Sequence, residues 1–314
     1  NPVKILFNAY KIKQIIKEHH IDLVHARSRV PALSAYFACK NSKTKFITTF
    51  HGVYSGKSKL KKTYNSIMLK GEKIITVSNF IKNHIKTNYN FTDNKKLLTI
   101  HRGVDLSEFN EQNVDYPQIS TYLTKYNIPK DKKLIILPGR ITEWKGQLFF
   151  LQALTKISAT NYHAIIVGDV DVHSNYKKKL TDFINQHSLS ENITFMPAIR
   201  DLVNLYHCAD IVISASLRPE AFGRTIVEAG AMGKIVLATK HGGAMETILD
   251  NKTGFLFAAN SNNELAEKID YVLKLPEKQL NIIENDAKEH VSKNFSICKM
   301  QEATINLYKE ILKL

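Results

Sequence analysis

The stretch Pro219-Glu220-Ala221-Phe222-Gly223-Arg224-Thr225-Ile226-Val227-Glu228-Ala229 follows the apolar run Ile211–Ser214 and then takes on helical spacing. A short apolar run, a loop with a glycine and a helix make one step of an open α/β sheet. Ligands in such sheets bind at the carboxyl ends of the strands. The start of the helix offers backbone amides and the positive end of a dipole to a phosphate. Glu220 lies in the loop, and Glu228 lies about one turn into the helix. Two carboxylates so placed can reach different parts of one extended ligand. They only accept hydrogen bonds, which suits the neighbouring hydroxyls of a sugar or ribose. The plain alternative is a loop glutamate and a helix-surface glutamate with no shared task.

Working outward, Gly139-Arg140 follows an apolar run at 134–138, and Lys145-Gly146 comes five residues later. A glycine before the arginine allows close backbone approach. A planar guanidinium and a mobile ammonium at a strand mouth suit a diphosphate. On this pair alone, a surface loop with two ordinary cations is the readier reading.

The same alternation runs through both halves of the chain. In the second half strands are expected at 134–138, 164–167, 193–195, 211–214 and 235–238. Helices are expected at 147–157, 175–187, 202–207, 225–232 and 263–273. In the first half apolar runs fall at 23–26, 46–50, 74–77 and 97–100, with helical spacing at 3–20, 31–39, 60–69 and 79–88. Strand–helix alternation at this spacing argues for parallel α/β architecture. Residues 111–132 are polar, hold Pro117 and Pro129, and break the pattern. The expected division is an N-terminal domain over 1–115, a linker over 116–131 and a C-terminal domain over 132–298. An amphipathic terminal helix over 299–314 is expected to pack back on the N-terminal domain.

The 314 residues suit two domains, and 44% apolar with 23% charged residues is ordinary for a globular protein. Cys39, Cys208 and Cys298 have neither metal-ligand spacing nor a disulfide framework, which suits a reducing compartment. No apolar run approaches the ~20 residues of a membrane span. No charged-then-apolar leader opens the chain, although it begins Asn1-Pro2-Val3 without a methionine. The net charge of +15 is uneven: residues 1–115 carry 20 Lys/Arg against 8 Asp/Glu, and the rest nearly balance. Such a field implies an anionic partner for the first half, unless a general bias toward lysine explains it.

Taken in order, these segments resemble the family 4 glycosyltransferases. Gly139-Arg140, Lys145-Gly146 and the pair Glu220 and Glu228 are similar to that family's donor site. Asp22-Leu23-Val24-His25-Ala26-Arg27, Thr49-Phe50-His51-Gly52, Val77-Ser78 and Arg102-Gly103-Val104-Asp105 resemble its N-terminal landmarks. Gly168, Ser214-Ala215-Ser216, Ala231-Met232-Gly233 and Gly242-Gly243 resemble its C-terminal ones. The closest likeness is to the branch acting on lipopolysaccharide core or capsular glycans.

The resemblance implies two Rossmann-like domains facing a cleft, the GT-B fold, and retaining transfer from a nucleotide-sugar donor without metal or other cofactor. A UDP-sugar is the expected donor. Arg140 and Lys145 would hold the diphosphate, and Glu228 the ribose. Glu220, with the amides of Ala221, Phe222 and Gly223, would hold the transferred sugar. Gly139, Arg224 and Thr225 complete the expected donor set. His51 would face the sugar from the other domain. His25, at the end of a strand, reads as structural. Arg27 and Arg29 are candidate contacts for an anionic glycolipid or polysaccharide acceptor, with a solvated loop as the alternative. Asp169-Val170-Asp171 reads as a loop rather than a metal site. The expected location is cytoplasmic, peripheral at an anionic membrane surface.

The leading strand and Gly-rich loop of the family are absent, so an incomplete N-terminal domain is expected. That leaves an alternative in which the chain is an inactive remnant binding only donor or partner. A sugar-nucleotide epimerase or a glycan phosphorylase would share the fold, and the latter needs a cofactor lysine of distinctive context. A basic nucleic-acid-binding protein fits the charge, but the basic half carries no recognisable RRM, KH or zinc pattern, so no nucleic acid is expected.

Overall fold

Valine, isoleucine and leucine fill short runs in this chain, and the runs at 134–138, 162–167 and 235–239 become strands buried on both faces. A computed structural model describes residues 2–54, 56, 58–89, 91–169 and 175–314. They divide into two units, one of Asn1–Gly103 with Cys298–Leu314 and one of Val104–Ile297.

The first unit runs α1 (Pro2–Glu18), β1 (Leu23–Ala26), α2 (Arg29–Cys39), β2 (Lys45–Phe50), α3 (Lys59–Asn65), β3 (Lys73–Thr76), α4 (Asn79–Tyr89) and β4 (Leu97–Thr99). Its four strands form a parallel sheet in the order β1-β2-β3-β4. Each strand is joined to the next by a helical crossover, as parallel pairing requires.

The second unit runs α5 (Tyr116–Lys125), β5 (Lys133–Pro138), α6 (Gln147–Leu154), β6 (Tyr162–Val167), α7 (Tyr176–Gln186), β7 (Ile193–Met196), α8 (Val203–Cys208) and β8 (Ile211–Ser214). It continues through α9 (Arg224–Ala231), β9 (Ile235–Thr239), α10 (Ala244–Thr247), β10 (Phe255–Phe257), α11 (Asn262–Leu273) and α12 (Glu277–Phe295). The chain closes with α13 (Ile297–Leu312). The six strands pair in parallel in the order β10-β9-β8-β5-β6-β7. The strand order reverses between β5 and β8, the point at which such sheets bind ligands.

The period of two sorts this core. Ile135, Leu137, Ala164, Ile166, Ile211, Ile213, Ile235 and Leu237 pack on one face of the sheet. Leu134, Ile136, Ile165, Val167, Val212, Val236 and Ala238 pack on the other. Side chains alternate across a strand, so each run contributes to two cores.

Three expectations change. The unit boundary lies at Gly103 and Val104, not after residue 115. Within the second unit, Val104 N–H donates to Phe295 O at 2.8 Å and Val104 O accepts from Ile297 N–H at 2.9 Å. The expected linker is also part of that unit: α5 is capped by Asp115, whose side chain accepts from Gln118 N–H, and Asn204 Oδ1 accepts from Asp115 N–H at 2.7 Å. The second unit further holds β10, α10 and α12, which apolar spacing did not single out. In α12 only Ala287, Val291 and Phe295 are buried, one per turn on a polar helix. The terminal segment Cys298–Leu314 clusters with the first unit, where Leu307 packs with Ile47, Ile75 and Ile100.

Candidate functional site

In the second unit the loops after β5 and β8 meet. Gly146 has φ of +75°, and any side chain there would collide with the Ala215 carbonyl at the end of β8. This close approach brings Lys145 to the loop before α9. Its ammonium donates to Glu220 Oε1 at 2.6 Å, with both side chains about one-fifth exposed. The Ser216 hydroxyl donates to the same oxygen. The Trp144 indole donates to Arg218 O at 3.2 Å and closes the edge of the contact. Arg140 is exposed beside them, and its carbonyl accepts from Gln147 Nε2 at 3.0 Å. A mobile cation and a carboxylate thus sit at adjacent strand ends, each neutralising the other. An anionic ligand with hydroxyls can exchange for both partners.

The Gly242-Gly243 turn after β9 supports this loop from below. Gly242 has φ of +60°, and a Cβ there would lie 2.5 Å from Glu220 O. A Cβ on Gly243 would collide with the backbone of Phe222. Gly243 N–H donates to Glu220 O at 2.9 Å. Phe222 itself is buried and meets Phe295 edge-on at 5.7 Å, so its ring anchors the loop rather than facing a ligand. Gly223, with φ of +89°, then turns the chain into α9.

Glu228 is buried within α9, not displayed on a helix surface. Arg224 Nη2 donates to its Oε1 at 2.8 Å, and the Tyr206 hydroxyl lies 3.4 Å from Oε2. Tyr206 is fully enclosed, with the Thr225 hydroxyl also beside it; burial and the Glu228 carboxylate push its phenol well above its usual range. It therefore stays a donor. Arg224 is largely exposed, so it covers the carboxylate from the solvent side.

In the first unit the ends of β1 and β2 carry the other candidates. Arg27 Nε donates to His51 Nε2 at 3.3 Å. His25 contacts the Thr49 hydroxyl at 2.7 Å through Nε2 and the Tyr308 hydroxyl at 2.6 Å through Nδ1. Burial and the Arg27 charge lower His25 to about 4. Burial, followed by Arg102, Arg27 and His25, lowers His51 to about 4. Both imidazoles are neutral near pH 7. Arg29 is held in place: it donates to Asn65 Oδ1 at 3.0 Å and its guanidinium lies over the Tyr54 ring at 4.6 Å.

Asp169 Oδ1 accepts from Ala198 N–H at 3.2 Å, while Val170 and Asp171 lie outside the described residues. Sequence reasoning left out Ser216, Tyr206 and Gln147 as site residues. The place of Ser216 two residues past β8 was a usable signal, whereas Tyr206 and Gln147 read as core. A cavity of about 430 Å³ also opens where β5, β8 and β9 begin, lined in part by Lys133, Asp210, Lys234 and Glu284. It holds none of the candidate residues, since those lie at the strand ends.

Residues 118–289 match the profile of the Glycosyl transferases group 1 family, and residues 1–108 match that of Glycosyltransferase Family 4. A crystal structure of a glycosyltransferase from Rickettsia africae is 43% identical, with a TM-score of 0.92 over 100% of this chain and 83% of that one. The structure of Anabaena Alr3699/HepE in complex with UDP and glucose has a TM-score of 0.83 at 23% identity, over 96% of this chain and 81% of that one. A lipopolysaccharide 1,2-N-acetylglucosaminetransferase of Salmonella typhimurium is 33% identical over 54% of this chain and 46% of its own length. Two further curated relatives are spanned to 66% and 81% of their length. The likenesses in structure are to two-unit, parallel α/β GT-B glycosyltransferases.

Proposed function

The chain belongs to the group 1 glycosyltransferases, and on that premise we propose that it moves a hexose from a UDP-sugar to an anionic lipid-linked or polysaccharide acceptor with retention of configuration. The observation that carries this reading is the meeting of Lys145 with Glu220 at the ends of β5 and β8, 2.6 Å apart. Arg140 and Lys145 balance the donor diphosphate in place of a metal ion. Glu220 and Ser216 hold the hexose hydroxyls, with the amides of Ala221, Phe222 and Gly223 beside them. Glu228 accepts from the ribose hydroxyls, and His51 is the candidate residue of the first unit. The acceptor hydroxyl attacks the anomeric carbon on the face from which the phosphate leaves. That bond forms as the carbon–oxygen bond to phosphate breaks, and the hydroxyl proton passes to the departing phosphate oxygen. The protein supplies position and fixed charge. The UDP and glucose named for the Anabaena structure support the donor, and the Salmonella enzyme's name supports a lipopolysaccharide acceptor.

Calorimetry with UDP in the presence of a chelator tests the donor assignment. Hydrogen bonds to charged groups contribute about 1.5–3 kcal/mol. Arg140→Ala is therefore expected to weaken UDP at least about tenfold. Unchanged affinity in that variant, or UDP binding that disappears with the chelator, would sink this account of the donor site. A transfer assay on His51→Ala tests the first-unit residue.

A further inference from the structure

We propose that Tyr308 is a positioning residue, setting the tautomer of His25 and, through a ladder across β1 and β2, the orientation of His51. This rests on the functional reading of His51 given above. The strands β1 and β2 are parallel, with Ala26 opposite Thr48. Two side-chain pairs, each 24 positions apart in sequence, bridge β1 and β2 and the residues that directly follow them. The first rung is His25 to Thr49 at 2.7 Å, and the second is Arg27 to His51 at 3.3 Å. The first rung lies within the two strands, and the second lies two residues further on, just past the ends of both. Tyr308 closes the ladder at its far end, 2.6 Å from His25 Nδ1 and edge-on to the ring at 5.8 Å.

The helix that brings Tyr308 is fixed on either side of it. Leu307 is buried against Ile47, Ile75 and Ile100. Glu310 pairs with Lys73 at 3.0 Å. Burial raises the Tyr308 phenol, so it remains protonated and able to donate. A phenol is a stronger donor than an aliphatic hydroxyl. Tyr308 therefore donates to Nδ1, and the proton of His25 sits on Nε2, where it donates to Thr49. The bond at one ring nitrogen determines which tautomer the other displays. In the second rung Arg27 can only donate, so His51 Nε2 accepts and Nδ1 carries the proton. Burial keeps both imidazoles neutral, and the nearby cations, Arg27 for both and Arg102 for His51, add to it. The two histidines thus hold opposite tautomers, and a residue from the far end of the chain selects the first of them.

The test is nitrogen-15 spectroscopy of histidine-labelled full chain at pH 7, with His25→Gln and His51→Gln to assign the signals. The expected result is a single tautomer at each ring, Nε2–H for His25 and Nδ1–H for His51. Tyr308→Phe is expected to turn the His25 signals into a tautomer mixture, to move those of His51, and to leave UDP affinity within twofold, roughly. Thr49→Ser keeps a hydroxyl and should keep the wild-type pattern, whereas Thr49→Val should lose it. This contrast separates the relay from simple unfolding of one variant. An Nδ1–H His25 overturns the proposal, as do His51 signals that ignore Tyr308→Phe. Full transfer by His51→Ala would instead defeat the functional reading of His51, since the spectra do not depend on it.

Discussion

Glu220 and Glu228 are both carboxylates near one loop, yet their surroundings differ. Glu220 is partly exposed and meets Lys145 and Ser216 through one oxygen, Oε1. Glu228 is buried between Arg224 and Tyr206. On the proposed reading Glu220 lies beside the hexose, where a carboxylate can stabilise positive charge that develops during transfer and an amide cannot. Glu220→Gln is therefore expected to lower kcat by about tenfold or more with little change in KM. Ribose does not change charge in the reaction. Glu228→Gln should raise the donor KM and leave kcat nearly as it was. Steady-state kinetics on both variants checks the split, and equal effects on the two constants would refute it.

At the scale of elements, the loop before α9 owes its shape to neighbours elsewhere in the second unit. The Gly242-Gly243 turn lies against its backbone, and α12 supplies Phe295 beneath Phe222. Phe295 is buried and also meets the His290 ring edge-on at 5.3 Å. Truncating a buried phenylalanine costs about 3–5 kcal/mol through lost contacts and the cavity left behind. Phe295→Ala should lower the stability of the second unit by that amount, read from denaturant unfolding. The same variant should weaken UDP, because the loop loses its anchor. A stable variant with normal UDP affinity would remove α12 from the account of the site. The helix itself is polar, with its three buried residues spaced four apart, so it holds its place by packing rather than by intrinsic tendency.

For the whole molecule, charge and protonation decide behaviour. His25 and His51 are lowered to about 4, chiefly by burial, and burial lowers His84, His163, His207 and His290 as well. Unfolded histidine titrates near 6.5. Between about 4 and 6.5 the unfolded chain binds more protons than the folded one, so stability falls as pH drops through that window. Thermal unfolding at pH 7.5 and pH 5 should show a lower midpoint at pH 5; equal midpoints would contradict the burial of these rings. The basic first half leads to a second expectation. Lys59, Lys61 and Lys62 are exposed on α3, beside the exposed Leu60, while Lys57 lies outside the described residues. Lysines near an anionic surface contribute about 1 kcal/mol each. Flotation with vesicles should require anionic lipid and weaken with salt. Equal flotation with neutral vesicles would argue against a membrane-bound acceptor. No helix among the described residues is long and apolar enough to cross a membrane.

The alternation of short apolar runs with helical spacing, legible in residues 134–138 or 211–214, determined the parallel α/β class and the strands that carry the candidate site's loops. Periodicity is local, so it can be read along the chain. Glycines at strand ends and the spacing of Arg140, Lys145, Glu220 and Glu228 were equally legible, because loop chemistry is written in residue type. The length of α12 was not, since its three buried residues fall one per turn, and β10, buried along its whole length, is only three residues long. The unit boundary at Val104 depended on backbone bonds to residues 295 and 297, nearly two hundred positions away. The same holds for Ser216 and Lys145 converging on one oxygen of Glu220, and for Tyr308 meeting His25. Such contacts exist only once buried surfaces have brought distant segments together, and it is their geometry, not residue spacing, that decides which side chains become partners.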